Sequence, residues 1–317
     1  MYEEIFAIAG LIAGLTLLAF CSDKAVKHSV SIASELGISP LIIGLSIVSL
    51  GTDSPEIMNS IVSSAVGHGD LNVGDSFGSI LAQISLFLGL YALFSKRVLK
   101  VKRDEIMVIG ACEILALIAS VSMVEKGYIS RFNALSLVAS WPIFMLIIWK
   151  VTKKEHVESV VVQTNQRMRY HFIIAILGFI GVAAGSFVVI NSVITLSAGL
   201  NIPEYLISFF VVAIGTSLPE FAVELTAIRK NQYEVAIGDA IGSCIIDAGL
   251  SIGIGPLFFP ITVSGGLAET TGLYAMLVSI IVLSTLALRE KLDKKAGVLF
   301  ITLYLISYIM LYTHTFI

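Results

Sequence analysis

Charge is the scarcest ingredient of this chain. Only 14% of its 317 residues are Asp, Glu, Lys or Arg, whereas 56% are hydrophobic, and the mean hydropathy is +0.93. A soluble domain of this size cannot cover its surface with so few charges. The shortage excludes the common soluble classes and points to a polytopic helical membrane protein. Cysteine is nearly absent too. Cys21, Cys112 and Cys244 are scattered through apolar runs and odd in number, which excludes a disulfide framework and a zinc site and suits packing between helices. The amino-terminal MYEEIF has no basic stretch, and the apolar run behind it has no small-residue cleavage motif. It reads as a retained membrane span rather than a leader. Long polar segments are missing as well: the only sizeable one covers 151–169, too short for a catalytic or regulatory domain.

What the chain has in abundance is apolar runs of span length. They fall near 4–21, 40–66, 71–94, 106–125, 131–150, 170–197, 204–228, 235–259, 269–288 and 296–315, which predicts ten transmembrane helices. With the amino terminus outside, all but two of the 20 Lys and Arg residues fall in inside loops, the exceptions being Lys126 and Arg131. The positive-inside rule then places both termini outside.

A shift of 164 residues lays the chain on itself. Gly51, Thr52, Pro55 and Glu56 fall on Gly215, Thr216, Pro219 and Glu220, and, without a gap, Gly74, Asp75, Gly78 and Ser79 fall on Gly238, Asp239, Gly242 and Ser243. Each half holds five spans, so the second copy enters the membrane from the opposite side. The expected fold is therefore all-α and polytopic, ten transmembrane helices in two inverted-topology repeats of five. The expected division is 1–150 for the first half, 151–169 for a cytoplasmic linker and 170–317 for the second half. In secondary transporters such repeats meet at a midplane binding site built from interrupted helices.

Acidic residues inside the spans carry the chemistry. Asp53, Glu56, Asp75, Glu113, Glu220, Glu224, Asp239 and Asp247 lie within apolar runs that contain no Lys, Arg or His away from their ends. An ionisable group costs roughly 2.5–3.5 kcal/mol at the bilayer centre on insertion scales. Acids without basic partners need an external cation or a proton. Glu56 and Glu220 sit near the middles of the second and seventh spans, and Gln83 and Asp247 near the middles of the third and eighth. Pro55 and Pro219 deprive the carbonyls of Gly51 and Gly215 of their helical donors, and such carbonyls need a new donor or a cation. Thr52 and Thr216 add hydroxyls. Carboxylate, carbonyl, hydroxyl and amide make an all-oxygen shell suited to hard cations. Asp75, Ser79 and Gln83, like Asp239, Ser243 and Asp247, are spaced to share one helix face. Asp75 and Asp239 are expected either to line the outer and inner access paths or to be first-turn acids at a helix amino terminus. Glu224 reads as a cavity acid or a solvated one near the inside end. Glu113 reads as an isolated acid hydrogen-bonded to a neighbouring helix.

The blocks GTDSPE with GDSFGSILAQ, and GTSLPE with GDAIGSCIID, resemble the alpha repeats of the sodium/calcium exchanger family, within the wider cation/calcium antiporters. The resemblance spans the chain and implies two inverted five-helix halves. It also implies exchange of Ca²⁺ for Na⁺, or for H⁺ in related branches, by alternating access, with the first and sixth spans sliding as a bundle. The small residues of GFIGVAAGS in the sixth span would permit that sliding. By motif position the resemblance makes Glu56 and Glu220 central cation ligands, with Thr52, Thr216, Ser217, Ser79, Ser243 and Asp247 completing the cluster. Asp53 stands where that family usually has serine, Gln83 where it has asparagine, and Asp75 and Asp239 where it commonly has the asparagine of G-N. Asp53 raises the central carboxylate count and leaves H⁺ coupling or Mg²⁺ transport open.

The expectation is thus a multi-pass cell-membrane protein that is not an enzyme. It has no cofactor, Ca²⁺ and Na⁺ as transported ions, the lipid bilayer as its surroundings, and no nucleic acid or obligate protein partner. A passive cation channel is the competing class. An intramembrane aspartyl protease built on Asp75 and Asp239 is disfavoured, because the topology sets the two acids near opposite faces.

Overall fold

The computed structural model describes residues 2–35, 49–95, 98–152, 168–229 and 233–316. The first half contains α1 (Tyr2–Glu35), α2 (Ser49–Thr52), α3 (Ser54–Ala65), α4 (Gly69–Leu81), α5 (Leu88–Phe94), β1 (Leu99–Lys100), α6 (Arg103–Val124), β2 (Tyr128–Ile129) and α7 (Arg131–Thr152). The second contains α8 (Met168–Leu200), α9 (Glu204–Ile207), α10 (Ala213–Thr216), α11 (Leu218–Arg229), α12 (Tyr233–Ile246), α13 (Ile252–Phe258), β3 (Ile261–Thr262), α14 (Gly265–Arg289), β4 (Lys291–Leu292) and α15 (Lys294–Phe316). Single π-helical turns at Ala82–Phe87, Ser208–Val212 and Asp247–Ser251 join α4 to α5, α9 to α10 and α12 to α13.

Nine helical stretches among the described residues are long and apolar enough to cross a bilayer. The second expected span, 40–66, is described only from Ser49 onward, and its first part lies outside the described residues, as does most of the expected linker 151–169. The first expected span, 4–21, falls within the apolar stretch Glu3–Ala25, and its helix runs on beyond the span. The apolar run thins near residue 21, but α1 continues to Glu35, because no proline or glycine stands in residues 22–35 to stop it.

The 164-residue repeat is a repeat of structure. α3 and α11 are both 12 residues long and start at equivalent positions, and α5 and α13 are both seven. Two short antiparallel ribbons tie the halves together: Leu99 and Lys100 of β1 pair with Leu292 and Lys291 of β4, and Tyr128 and Ile129 of β2 pair with Thr262 and Ile261 of β3. Each ribbon takes one strand from each half. Lys100 and Lys291 lie on one ribbon, while Lys126 and Arg131 flank a strand of the other.

α1 packs along α8, and the two form their own apolar cluster around Leu11, Leu18, Val182 and Val189. His28 and His171 join their far ends, Nδ1 to Nδ1 at 2.8 Å. The glycines of GFIGVAAGS face α1: a Cβ on Gly178 would lie 2.9 Å from Ala25 Cβ. They bring the two helices of the pair together. A second close approach joins the third span to the seventh. A Cβ on Gly78 would fall 2.1 Å from the carbonyl oxygen of Phe209, a backbone atom that cannot rotate away. Overpacking of this kind typically costs about 1–3 kcal/mol. A G78A variant should therefore show a lower melting temperature in detergent than the parent, with helix content retained below the transition; an unchanged melting temperature would contradict this packing.

Candidate cation-binding site

Two breaks in helices place the site. α2 ends at Thr52 and α3 resumes at Ser54, and α10 ends at Thr216 and α11 resumes at Leu218. Pro55 and Pro219 stand just beyond each break, where a proline removes a donor and crowds the carbonyl four residues earlier. The backbone at Asp53 (φ −74°, ψ 6°) nearly matches that at Ser217 (φ −83°, ψ 9°), as equivalent positions of a repeat should. The freed carbonyl of Gly51 accepts a hydrogen bond from Ser22 Oγ of α1 at 3.0 Å, so a donor occupies it here. Ser22 Oγ also lies 3.2 Å from Ser54 Oγ.

Asp53, Glu56 and Glu220 converge. All three are buried, and each offers an oxygen within 4.8 Å of the other two. Hydrogen bonds between the halves surround them. Ser217 Oγ donates to Glu56 Oε1 at 3.2 Å, Ser243 Oγ to Asp53 Oδ2 at 3.3 Å, and Gln83 Nε2 to Asp247 Oδ2 at 3.5 Å. Ser79 Oγ donates to the Ala213 carbonyl at 3.4 Å, which ties the third span to the seventh. Thr52 is buried at the end of α2. Beside the cluster, Cys244 Sγ lies 3.6 Å from Gln83 Oε1.

The unsatisfied atoms reveal the chemistry. Asp53 Oδ1, Glu56 Oε2, both carboxylate oxygens of Glu220 and Asp247 Oδ1 are buried without a hydrogen-bond partner from the protein. Among the described residues no Lys or Arg is buried. Two full charges 4.8 Å apart repel by roughly 3.5 kcal/mol at an effective dielectric of about 20. Three such pairs approach the roughly 5–15 kcal/mol that holds a whole domain together. The three carboxylates therefore need cations or protons among them. Their oxygens suit a hard cation: opposite ligands of Ca²⁺, at about 2.3–2.6 Å each, stand about 5 Å apart.

Asp75 departs from both expected roles. α4 starts at Gly69, so its first-turn acid is Asp70 and Asp75 lies in the second turn. α12 starts at Tyr233, which puts Asp239 in the second turn as well. Nor does Asp75 line an open path. It is buried, accepting from Asn59 Nδ2 at 2.5 Å and lying 3.0 Å from Thr216 Oγ1 of the other half. Asp239 is half-buried on α12, which packs on α11. The two acids thus serve different surroundings, which removes the basis for a protease dyad. Glu113 accepts from Ser279 Oγ of α14 at 2.5 Å, the neighbouring-helix bond expected of it.

Sequence reasoning missed Asn59, Ser22 and Tyr91. Asn59 follows Glu56 by three residues and was legible as a same-face polar neighbour. Ser22 lay past the point where the first span was taken to end. Tyr91 donates to Glu224, a contact between distant spans that spacing could not reveal. A groove of about 630 Å³ between α1 and α8, lined by Phe6, Phe187 and Val188 among others, shares no residue with the carboxylate cluster.

A profile of the family described as sodium/calcium exchanger protein matches residues 6–150 and 170–313. The sodium/calcium exchanger MaX1 of Methanosarcina acetivorans is 26% identical, over 95% of this chain and 97% of its own. The putative antiporter CaxA of Alkalimonas amylolytica is 27% identical, over 88% and 89% respectively. A solved structure of the sodium-calcium exchanger NCX_Mj, soaked with 10 mM Na⁺ and zero Ca²⁺, superposes with a TM-score of 0.64 at 27% identity, covering 96% of this chain and 99% of that one.

If the orphaned oxygens receive a cation, binding must stabilise the fold by mass action, by about 2.7 kcal/mol at a hundredfold excess over Kd. Ca²⁺ added to the purified protein should raise its melting temperature, and E220Q should lose that response while keeping a cooperative transition. An equal response in E220Q would remove Glu220 from the site.

Proposed function

The chain belongs to the sodium/calcium exchanger protein family, and from that premise we propose that it is a secondary active antiporter exchanging Ca²⁺ for Na⁺ by alternating access at Asp53, Glu56 and Glu220. The observation that carries the reading is the convergence of these three buried acids, one and two from opposite halves, with no buried basic side chain among the described residues. It is a multi-pass membrane protein and a transporter rather than an enzyme. The ion-binding residues extend from the three carboxylates to Asp247 and Gln83, with Thr52, Thr216, Ser217, Ser79 and Ser243 as hydroxyls around them. Asp75 acts through Thr216.

Coupling follows from shared ligands. Ca²⁺ and Na⁺ are both hard cations, and both call on the same carboxylate oxygens, so they compete. One Ca²⁺ balances two of three negative charges, and the third calls for a proton or a further cation. Asp53 supplies that extra charge, and it keeps H⁺ coupling as the alternative within the same fold. Mg²⁺ would need the oxygens drawn closer, to about 2.0–2.1 Å from the ion.

The two halves, 1–150 and 170–317, act on the site from opposite faces, with both termini outside. Ser22 and Ser186 occupy equivalent positions at the 164 offset. Ser22 Oγ donates to the Gly51 carbonyl, whereas Ser186 Oγ is buried with no partner. Equivalent groups in unlike states are what alternation between two such states requires, with α1 and α8 moving together against the rest.

The test is radioactive Ca²⁺ uptake into proteoliposomes loaded with Na⁺, beside vesicles carrying only a pH gradient. Uptake should require the Na⁺ gradient and should vanish in E56Q and E220Q. Uptake driven by pH alone would make H⁺ the coupling ion. Unitary currents without gradient coupling would mark a passive channel and overturn the antiporter.

A further inference from the structure

The repeat offset pairs Glu224 with Ser60 and Tyr91 with Gly255. Between α3 and α13 the equivalent contact is closed by backbone. Gly255 N donates to Ser60 Oγ at 3.1 Å, and a Cβ on Gly255 would lie 2.1 Å from the Ser60 carbonyl oxygen. α3 and α13 therefore touch with no room for a side chain. Between α11 and α5 the same place holds two large polar groups. Tyr91 OH donates to Glu224 Oε2, and Tyr91 stacks on Phe221 with ring centres 5.5 Å apart and an interplanar angle of 19°. Phe87 packs on Phe221 as well, with ring centres 4.8 Å apart.

Glu224 is fully buried, and its Oε1 has no partner from the protein. It follows Glu220 by one helical turn, on the same face and about 6 Å farther along the axis. A carboxylate is not needed to hold these helices together, since a serine does so at the equivalent place. A buried acid with a free oxygen, one turn from Glu220 and with no buried basic group among the described residues, has the chemistry of a cation site. The location fixes its direction. Tyr91 lies in α5, which leads through Phe94 to β1, and α12 packs on β1 as well; the route from Glu220 through Glu224 thus runs toward the β1–β4 ribbon.

We propose that Glu224 forms a second cation-holding station between the central cluster and the membrane face bearing the β1–β4 ribbon, where the repeat toward the opposite face carries only Ser60. An ion released from Glu220 rests there before reaching water, and the two faces consequently bind Ca²⁺ with different strength. The inference rests on the exchanger reading above. Should wild-type protein show no Ca²⁺ flux at all, that reading fails on its own, before the station is tested.

The experiment measures half-saturating Ca²⁺ at each face separately, in proteoliposomes with a single protein orientation. E224Q should raise the value about tenfold at the ribbon face, a loss of one strong ligand contact, and change it less than about twofold at the other. Y91F, which removes the hydrogen bond and keeps the carboxylate, should stay within about threefold of wild type at both faces. An unchanged E224Q, or one shifted equally at both faces, would overturn the station. So would a Y91F variant that reproduces E224Q, because Glu224 would then serve only the bond to Tyr91. If E224Q does not fold, E224D replaces it, and wild-type-like half-saturation in E224D together with equal half-saturation at the two faces of the wild type would count against the proposal.

Discussion

Asp53, Glu56 and Glu220 repel one another across no more than 4.8 Å, inside a protein whose described residues include no buried Lys or Arg to offset them. In a low-dielectric interior that repulsion is comparable to the total stability of a domain. A fixed basic partner would have relieved it permanently, and the site would then have had no use for a mobile ion. Leaving the charges unbalanced makes the cation part of the structure while it is bound. In the exchange we propose, the same imbalance makes Na⁺ and Ca²⁺ compete for these oxygens.

That constraint explains where the helices break. A continuous helix would satisfy its own carbonyls and hold Glu56 or Glu220 on a smooth face. The turns at Asp53 and Ser217 open the backbone at one level in both halves, and the hydroxyls and amides of the opposite half then reach across: Ser217 to Glu56, Ser243 to Asp53, Gln83 to Asp247. Close approach of the third span to the seventh, enforced at Gly78, brings Thr216 to Asp75. Neither half alone contains all three converging carboxylates.

The repeat is symmetric in backbone and asymmetric in side chains. Break positions, the π-helical turns that follow α4 and α12, and the ribbons recur at or near the offset, yet Asp53 faces a serine equivalent, Gln83 an aspartate and Ser60 a glutamate. Inversion would make two faithful copies present identical routes to the two sides of the membrane. Side-chain differences are therefore the means by which one face acquires a carboxylate that the other lacks. Ser22, engaged, and Ser186, unengaged, show the same divergence in contacts rather than in sequence.

Much of this was written in the chain. Hydropathy sets span count because a bilayer demands about 20 apolar residues per helix, and the prolines and glycines of the repeated blocks mark the breaks because their backbone limits are local. The acids of the site were legible because charge in a span is costly wherever the span packs. Contacts between spans were not, because spacing along one helix says nothing about which face of another it meets. The extension of α1 to Glu35, the capture of the Gly51 carbonyl by Ser22, the burial of Asp75 against Asn59 and the meeting of Tyr91 with Glu224 all depend on packing between distant segments. Sequence by itself determined which residues carry the charge and where the helices give way. Only the tertiary structure decided which of those charges meet, since a carboxylate's surroundings in a membrane are supplied by the helices around it rather than by its neighbours in the chain.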